Sequence, residues 1–234
     1  MNPILVALDV ESAAKAVDLA AMLRGSVGGF KIGKQLFTAA GPAIVRELAS
    51  QGDRVFLDLK FHDIPNTVAG AVQSAVGTGA WMVNVHASGG RAMMEAAADA
   101  ARQTAEKLSQ PRPLVIAVTV LTSMDDRALQ EIGVARSMIE QVVRLATLAQ
   151  DSGLDGVVAS PQEVTAIRRT CGSGFQIVTP GIRPAGQQGK DDQARTLTPA
   201  EAIAAGSTYL VIGRPITAAP DPWHAAAQIA ATLP

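Results

Sequence analysis

Val55-Phe56-Leu57-Asp58-Leu59-Lys60-Phe61-His62-Asp63-Ile64-Pro65-Asn66-Thr67 is the stretch that decides how this chain is read. It begins as a strand, with Val55, Phe56, Leu57 and Leu59 apolar and mostly of strand-preferring types. Three charges follow within six positions, Asp58, Lys60 and Asp63, before Pro65 opens a helix. Side chains two apart in a strand project from one face, so Asp58 and Lys60 point into one space. Asp63 falls beyond the strand, on a loop. An acid, an amine and a second acid at a strand's end suit proton transfer. Taken alone, a D-x-K pair reads as an ion pair on a connecting loop, so the rest of the chain has to decide.

On both sides of this stretch, short apolar runs alternate with longer amphipathic ones. The strands are read at Ile4 to Leu8, Gly29 to Ile32, Val55 to Leu59, Trp81 to Val85, Pro113 to Val120, Gly156 to Ala159, Phe175 to Val178 and Tyr209 to Ile212. Helices are read from Ser12 (an N-cap), over Ala43 to Ser50, Asn66 to Thr78, Ala92 to Leu108, Ser137 to Ser152, Pro161 to Arg169, Pro199 to Ala205 and Trp223 to Ala231. Eight such units with buried-type strands imply a parallel sheet covered by helices. In a chain of 234 residues they predict a closed (β/α)8 TIM barrel rather than an open sheet. No linker or shift of composition divides the chain, so residues 1–234 are read as one barrel domain.

Composition removes several function classes. Twenty basic and twenty-one acidic residues leave a net charge of -1, with no basic field for nucleic acid or an anionic membrane. Aromatic residues are 3% of the chain, too few for stacked recognition of single strands. The single cysteine, Cys171, permits no internal disulfide and no cysteine-based zinc cluster, and it reads as structural. No apolar run approaches the roughly 18 residues of a membrane span. The N-terminal Met1 to Asp9 carries no basic region or cleavage signal, and a cytoplasmic location is expected.

A barrel carries its active site at the C-terminal ends of its strands. Polar residues should gather there, and they do: Asp9, Lys31, Asp58 with Lys60, Asn84 with His86, Thr119 with Thr122 and Ser123, Ser160, Arg183 and Arg214 each follow an apolar run. Asp9, Lys31, Asp58 and Lys60 are expected to form a continuous network of alternating charge that keeps both acids and both amines ionised. At the eighth strand, Ile212-Gly213-Arg214 lets backbone N–H groups approach an anion while a guanidinium clamps it. Phosphate sites in barrels often use the loops after strands seven and eight. The long polar segment from Ala185 to Arg195 is expected to act as a lid over a bound phosphate. His62 and His86 with two aspartates are a weak case for a metal, because Lys31 and Lys60 crowd the same place with positive charge.

With these motifs in hand, the chain resembles the bacterial orotidine 5′-phosphate decarboxylases over nearly its whole length. The resemblance rests on Asp58-Leu59-Lys60-Phe61-His62-Asp63-Ile64-Pro65-Asn66-Thr67, Ala7-Leu8-Asp9, Lys31-Ile32-Gly33, Val85-His86, Val120-Leu121-Thr122-Ser123, Thr179-Pro180-Gly181-Ile182-Arg183 and Ile212-Gly213-Arg214. It implies loss of carbon dioxide from orotidine 5′-phosphate to give uridine 5′-phosphate (UMP), in pyrimidine biosynthesis, with no metal and no organic cofactor. By matching position it makes Lys60 the proton donor to carbon 6 and sets Asp58 beside the departing carboxylate. Lys31 and Asp63 complete the charged array. Asp9 and Lys31 contact the ribose and Thr122 the base, while Gln193, Gly213 and Arg214 hold the phosphate with Arg183 nearby. It also implies a homodimer in which Asp63 and Thr67 reach the neighbouring site.

The D-x-K-x-x-D core alone is shared with sugar-phosphate aldolases of the same superfamily. A magnesium-dependent hexulose-phosphate synthase-like aldolase, a metal-dependent ribulose-phosphate epimerase-like enzyme and a silent phosphate-binding barrel therefore stand as competing readings.

Overall fold

The structure is a computed structural model that describes residues 2–183 and 197–234. Eight parallel strands close into a barrel in sequence order, β1 (Ile4–Ala7), β2 (Gly29–Gly33), β3 (Val55–Phe61), β4 (Met82–His86), β5 (Leu114–Val118), β6 (Gly156–Val158), β7 (Gln176–Thr179) and β8 (Tyr209–Ile212). The seam is made by β1 and β8, where Ile4, Leu5 and Val6 lie opposite Leu210, Val211 and Ile212. The (β/α)8 TIM barrel expected from the alternation is the observed fold.

Helices wrap the outside: α1 (Ala13–Leu23), α2 (Lys34–Ala40), α3 (Ala43–Ser50), α4 (Pro65–Val76), α5 (Arg91–Lys107), α6 (Asp126–Glu131), α7 (Met138–Asp151), α8 (Val164–Cys171), α9 (Pro199–Ala205), α10 (Arg214–Thr217) and α11 (Pro222–Ala231). Local chemistry fixes several of their starts. Ser12 accepts a bond from the Lys15 N–H at the head of α1. Thr198 and Glu201 form a reciprocal capping box on α9, as do Ser137 and Glu140 on α7. Pro65 stands in the first turn of α4, where its missing N–H costs nothing.

Side-chain alternation along the strands builds two separate cores. Ile4, Val6, Phe30, Ile32, Val55, Leu57, Val83, Val85, Val115 and Ile177 face outward and are sealed by the helices. Leu5, Ala7, Phe56, Met82, Ile116, Val178 and Val211 fill the lumen. The lumen parity continues upward into polar residues at the C-terminal mouth, so the register that packs the barrel also aims the functional groups.

The short helices α2 and α10 are absent from the sequence reading, and α6 falls in the segment before Ser137, which has room for a short helix. With four residues, α10 is too brief to show a periodic apolar face, and α2 follows β2 with no intervening loop to mark its start. The helix read from Pro161 starts as a 3-10 turn over Pro161–Glu163 before α8 begins. β3 runs past its apolar part to Phe61. Among the described residues, no helix is long and apolar enough to cross a membrane.

Candidate active site

A cavity of about 550 Å³ opens at the C-terminal mouth. Lys31, Asp58 and Lys60 line it from β2 and β3, Asp9 from just past β1, and Gly213 and Arg214 from the turn between β8 and α10. Thr122, after β5, lines it from the far side of the closed strand order, with Pro180, Gly181 and Arg183 from the segment after β7. Phe56, Val118, Val158 and Val211 form its apolar floor.

The four charges of β1 to β3 form one row. The Lys31 ammonium donates to Asp9 Oδ1 at 3.0 Å and lies 3.7 Å from Asp58 Oδ2. The Lys60 ammonium donates to Asp58 Oδ1 at 2.6 Å. Register explains how the row closes. Ala7 lies opposite Lys31 and Gly33 opposite Asp58, so Gly33 sits on the strand between the two acids, one layer above Lys31. Having no side chain, it leaves the space into which the Lys31 amine rises. A Cβ there would stand 2.9 Å from Lys31 Nζ and 3.1 Å from Asp9 Oδ1.

Lys60 is reached through an irregular strand. β3 and β4 change register between Leu57 and Phe61, and Lys60 takes φ +55°. That is the left-handed region, uncommon for a residue with a side chain. The Lys60 N–H donates to Asn84 Oδ1 at 2.8 Å, and Asn84 Nδ2 donates to Asp58 Oδ1 at 2.7 Å. Asn84 is wholly buried and Asp58 is 9% exposed.

Burial by itself would push the Asp58 carboxyl up. The adjacent Lys31 and Lys60 charges and the hydrogen bonds from Lys60 and Asn84 outweigh it, holding the group below the usual carboxylate range. Asp58 is thus an anion at neutral pH despite its burial. His86, at the end of β4, packs against His62 with ring centroids 5.4 Å apart. Burial, then the neighbouring His62, Lys60 and Lys34, push its imidazole down to about 4. It is neutral beside the amine.

Of the residues singled out by sequence, Asp9, Lys31, Asp58, Lys60, Thr122, Arg183, Gly213 and Arg214 are brought together around the cavity. Asp63 and Thr67 are not among its lining; both are exposed, and Asp63 Oδ1 accepts the Ile64 N–H at 2.6 Å. Gln193 and the expected lid from Ala185 to Arg195 lie outside the described residues. Arg183 is buried and donates to the Ile182 carbonyl at 3.0 Å. Among the described residues, no group of three or more His, Cys, Asp and Glu side chains is arranged to hold a metal ion.

Two further residues carry signals that the sequence reading counts only as strand-end polarity. Asn84 ties Lys60 to Asp58. Ser160, after β6, is fully buried and caps the turn that leads into α8, its N–H donating to Glu163 Oε2 at 2.8 Å.

A closed barrel whose mouth joins paired ammonium and carboxylate groups in one cavity with a Gly-Arg strand end defines a (β/α)8 barrel enzyme. A family model described as orotidine 5′-phosphate decarboxylase / HUMPS matches residues 2–229. The chain is 58% identical over 233 residues to an orotidine 5′-phosphate decarboxylase of Moorella thermoacetica, covering 99% of this chain and 92% of that one. It is 54% identical to the corresponding enzyme of Paramagnetospirillum magneticum, covering 100% and 99% of the two chains. A crystal structure of orotidine 5′-phosphate decarboxylase from Lactobacillus acidophilus superposes with a TM-score of 0.86 at 38% identity, covering 99% of each chain. The chain belongs to the orotidine 5′-phosphate decarboxylase / HUMPS family.

Proposed function

We propose that this chain, acting as one barrel domain, converts orotidine 5′-phosphate to UMP in the cytoplasm, within pyrimidine biosynthesis. No cofactor takes part, and Lys60 protonates carbon 6. The observation that carries the reading is the unbroken row Asp9–Lys31–Asp58–Lys60 lining the same cavity as Gly213 and Arg214. The names of the relatives support the substrate.

Breaking the bond from carbon 6 to the carboxylate carbon releases carbon dioxide and leaves the electron pair on a ring carbon with no adjacent carbonyl to delocalise it. Catalysis must therefore stabilise localised negative charge. The Lys60 ammonium, fixed by Asp58, supplies a preorganised positive charge at that carbon and then its proton. Asp58, ionised and buried, stands beside the departing carboxylate and disfavours it. Asp9 and Lys31 hold the ribose and Thr122 the base. Gly213, Arg214 and Gln193, with Arg183, hold the phosphate, and that remote binding energy is available for closing the site.

The enzyme acts as a homodimer in which Asp63 and Thr67 complete the neighbouring site. Their exposure outside their own chain's cavity supports this, as does Ile64 beside them, an apolar side chain 67% exposed. The deciding experiment follows the ultraviolet absorbance of orotidine 5′-phosphate with purified protein in excess chelator. Steady loss of substrate with stoichiometric UMP is expected. Absence of turnover, or turnover that requires added magnesium, would overturn the reading. Mixing inactive Lys60→Ala and Asp63→Asn proteins tests the shared site: restored activity is expected, and none is compatible with sites confined to single chains.

A further inference from the structure

Between Leu57 and Phe61 the two central strands of the site do not keep step. Leu57 lies opposite Val83 and Phe61 opposite Val85, so β3 carries extra residues over the rise of a single Asn84. A bulge of this kind leaves backbone groups without their ladder partners. Here the gap is filled by a side chain: the Lys60 N–H donates to Asn84 Oδ1 at 2.8 Å. The other half of the same carboxamide donates to Asp58 Oδ1 at 2.7 Å. The amide has one possible orientation, because a backbone N–H only donates and an ionised carboxylate only accepts. On its other side β4 keeps its regular ladder, with Asn84 opposite Ile116, so the carboxamide hangs from a rigid strand.

We propose that Asn84 is a positioning residue for the amine of Lys60. Its carboxamide replaces a rung of the sheet and so sets two things at once, the left-handed backbone at Lys60 and the rotation of the Asp58 carboxylate that receives the ammonium. Asn84 does not line the cavity and is fully buried, so it acts through its two neighbours rather than on substrate. A simple packing role needs neither bond; a positioning role needs both.

The kinetic test rests on the decarboxylase reading, and a structural test stands beside it. Asn84→Leu keeps a side chain of similar size and removes both bonds. On orotidine 5′-phosphate its kcat is expected to fall on the order of 100-fold, as for a misplacement near 1 Å. KM should stay within about 3-fold, since the phosphate contacts are untouched. In its crystal structure Lys60 should leave positive φ and its amine should part from Asp58. A kcat within about 3-fold of the parent, a rise in KM at constant kcat, or Lys60 still left-handed overturns the proposal. If the leucine variant does not fold, Asn84→Asp serves, judged on kcat, on KM and on the parting of the Lys60 amine from Asp58, since it keeps the acceptor for the Lys60 N–H but turns the donor facing Asp58 into a second anion. A parent protein that turns over no orotidine 5′-phosphate sinks the decarboxylase reading alone, and the crystal comparison still decides this one.

Discussion

Replacing Lys60 separates two consequences of its position, one chemical and one conformational. On the proposed mechanism, Lys60→Ala removes the proton donor, usually worth about 10²–10⁴ in rate, and the preorganised charge, worth about 10²–10³. Together these place the loss of kcat between roughly 10⁴- and 10⁷-fold. Stability should change far less. Asp58 keeps Asn84 at 2.7 Å and Lys31 at 3.7 Å, so its charge is not stranded. The side chain lost is 25% exposed, and the expected cost is about 1–2 kcal/mol rather than the 3–5 of an orphaned buried ion. Lys60→Gly removes the same amine but relieves the backbone at φ +55°. Relief of about 1–2 kcal/mol, less the extra entropy of an unfolded glycine, leaves glycine ahead of alanine by about 0.5–1 kcal/mol. That is about 2 °C in Tm for a chain of this size. The assays are absorbance-monitored turnover and thermal melting of both variants beside the parent. Turnover within tenfold of the parent removes Lys60 from the mechanism, and a glycine variant melting no higher than alanine refutes the account of its backbone.

Arg214→Ala is expected to raise KM on the order of 100-fold while kcat changes less than tenfold, because on the proposed reading the guanidinium grips a part of the substrate remote from the reaction; an unchanged KM contradicts that role. Gly33→Ala should fold normally yet displace the Lys31 amine, since the new Cβ would lie 2.9 Å from it. A fall in kcat/KM of about tenfold or more is expected, and unaltered kinetics would show that the space above Lys31 is not used. His86→Gln should flatten the acid side of the stability profile. The unfolded imidazole takes a proton near 6.5 while the folded one resists to about 4, so stability is full above 6.5 and is lost as pH falls towards 4. Allowing for the ring's partial exposure, that loss is about 1–2 kcal/mol. Urea midpoints at pH 7 and pH 4.5 measure it, and an identical slope in parent and variant rejects the assignment.

Periodicity carried most of the architecture into view. The apolar runs of β1 to β8 are short and bounded by polar residues, so strand positions, barrel closure and the mouth could be read from spacing alone. The site followed from the polar residues at the strand ends, and from Asp58 and Lys60 standing two apart on β3. What stayed hidden depends on geometry that no local pattern encodes. The left-handed turn at Lys60 breaks the alternation that suggested its direction, and it still meets Asp58 because Asn84, a residue of the next strand, takes up the slack. The alternating row of Asp9, Lys31, Asp58 and Lys60 was expected from strand-end placement, and the β1–β2 register is what brings Lys31 within 3.0 Å of Asp9. Trp81 stacks edge-on against Tyr209 at 5.2 Å. Trp223, in the first turn of α11, is half exposed.

The seam of the barrel has a bearing on synthesis. Every member of the charged row is encoded before residue 84, but the Gly213–Arg214 side of the cavity arrives with β8, which must dock against β1 through Ile4, Leu5 and Val6. A nascent polypeptide therefore carries a finished set of reactive groups on an open, half-built wall. Ribosome-bound chains released short of that last strand should be chemically silent, whatever their first hundred residues have already folded into.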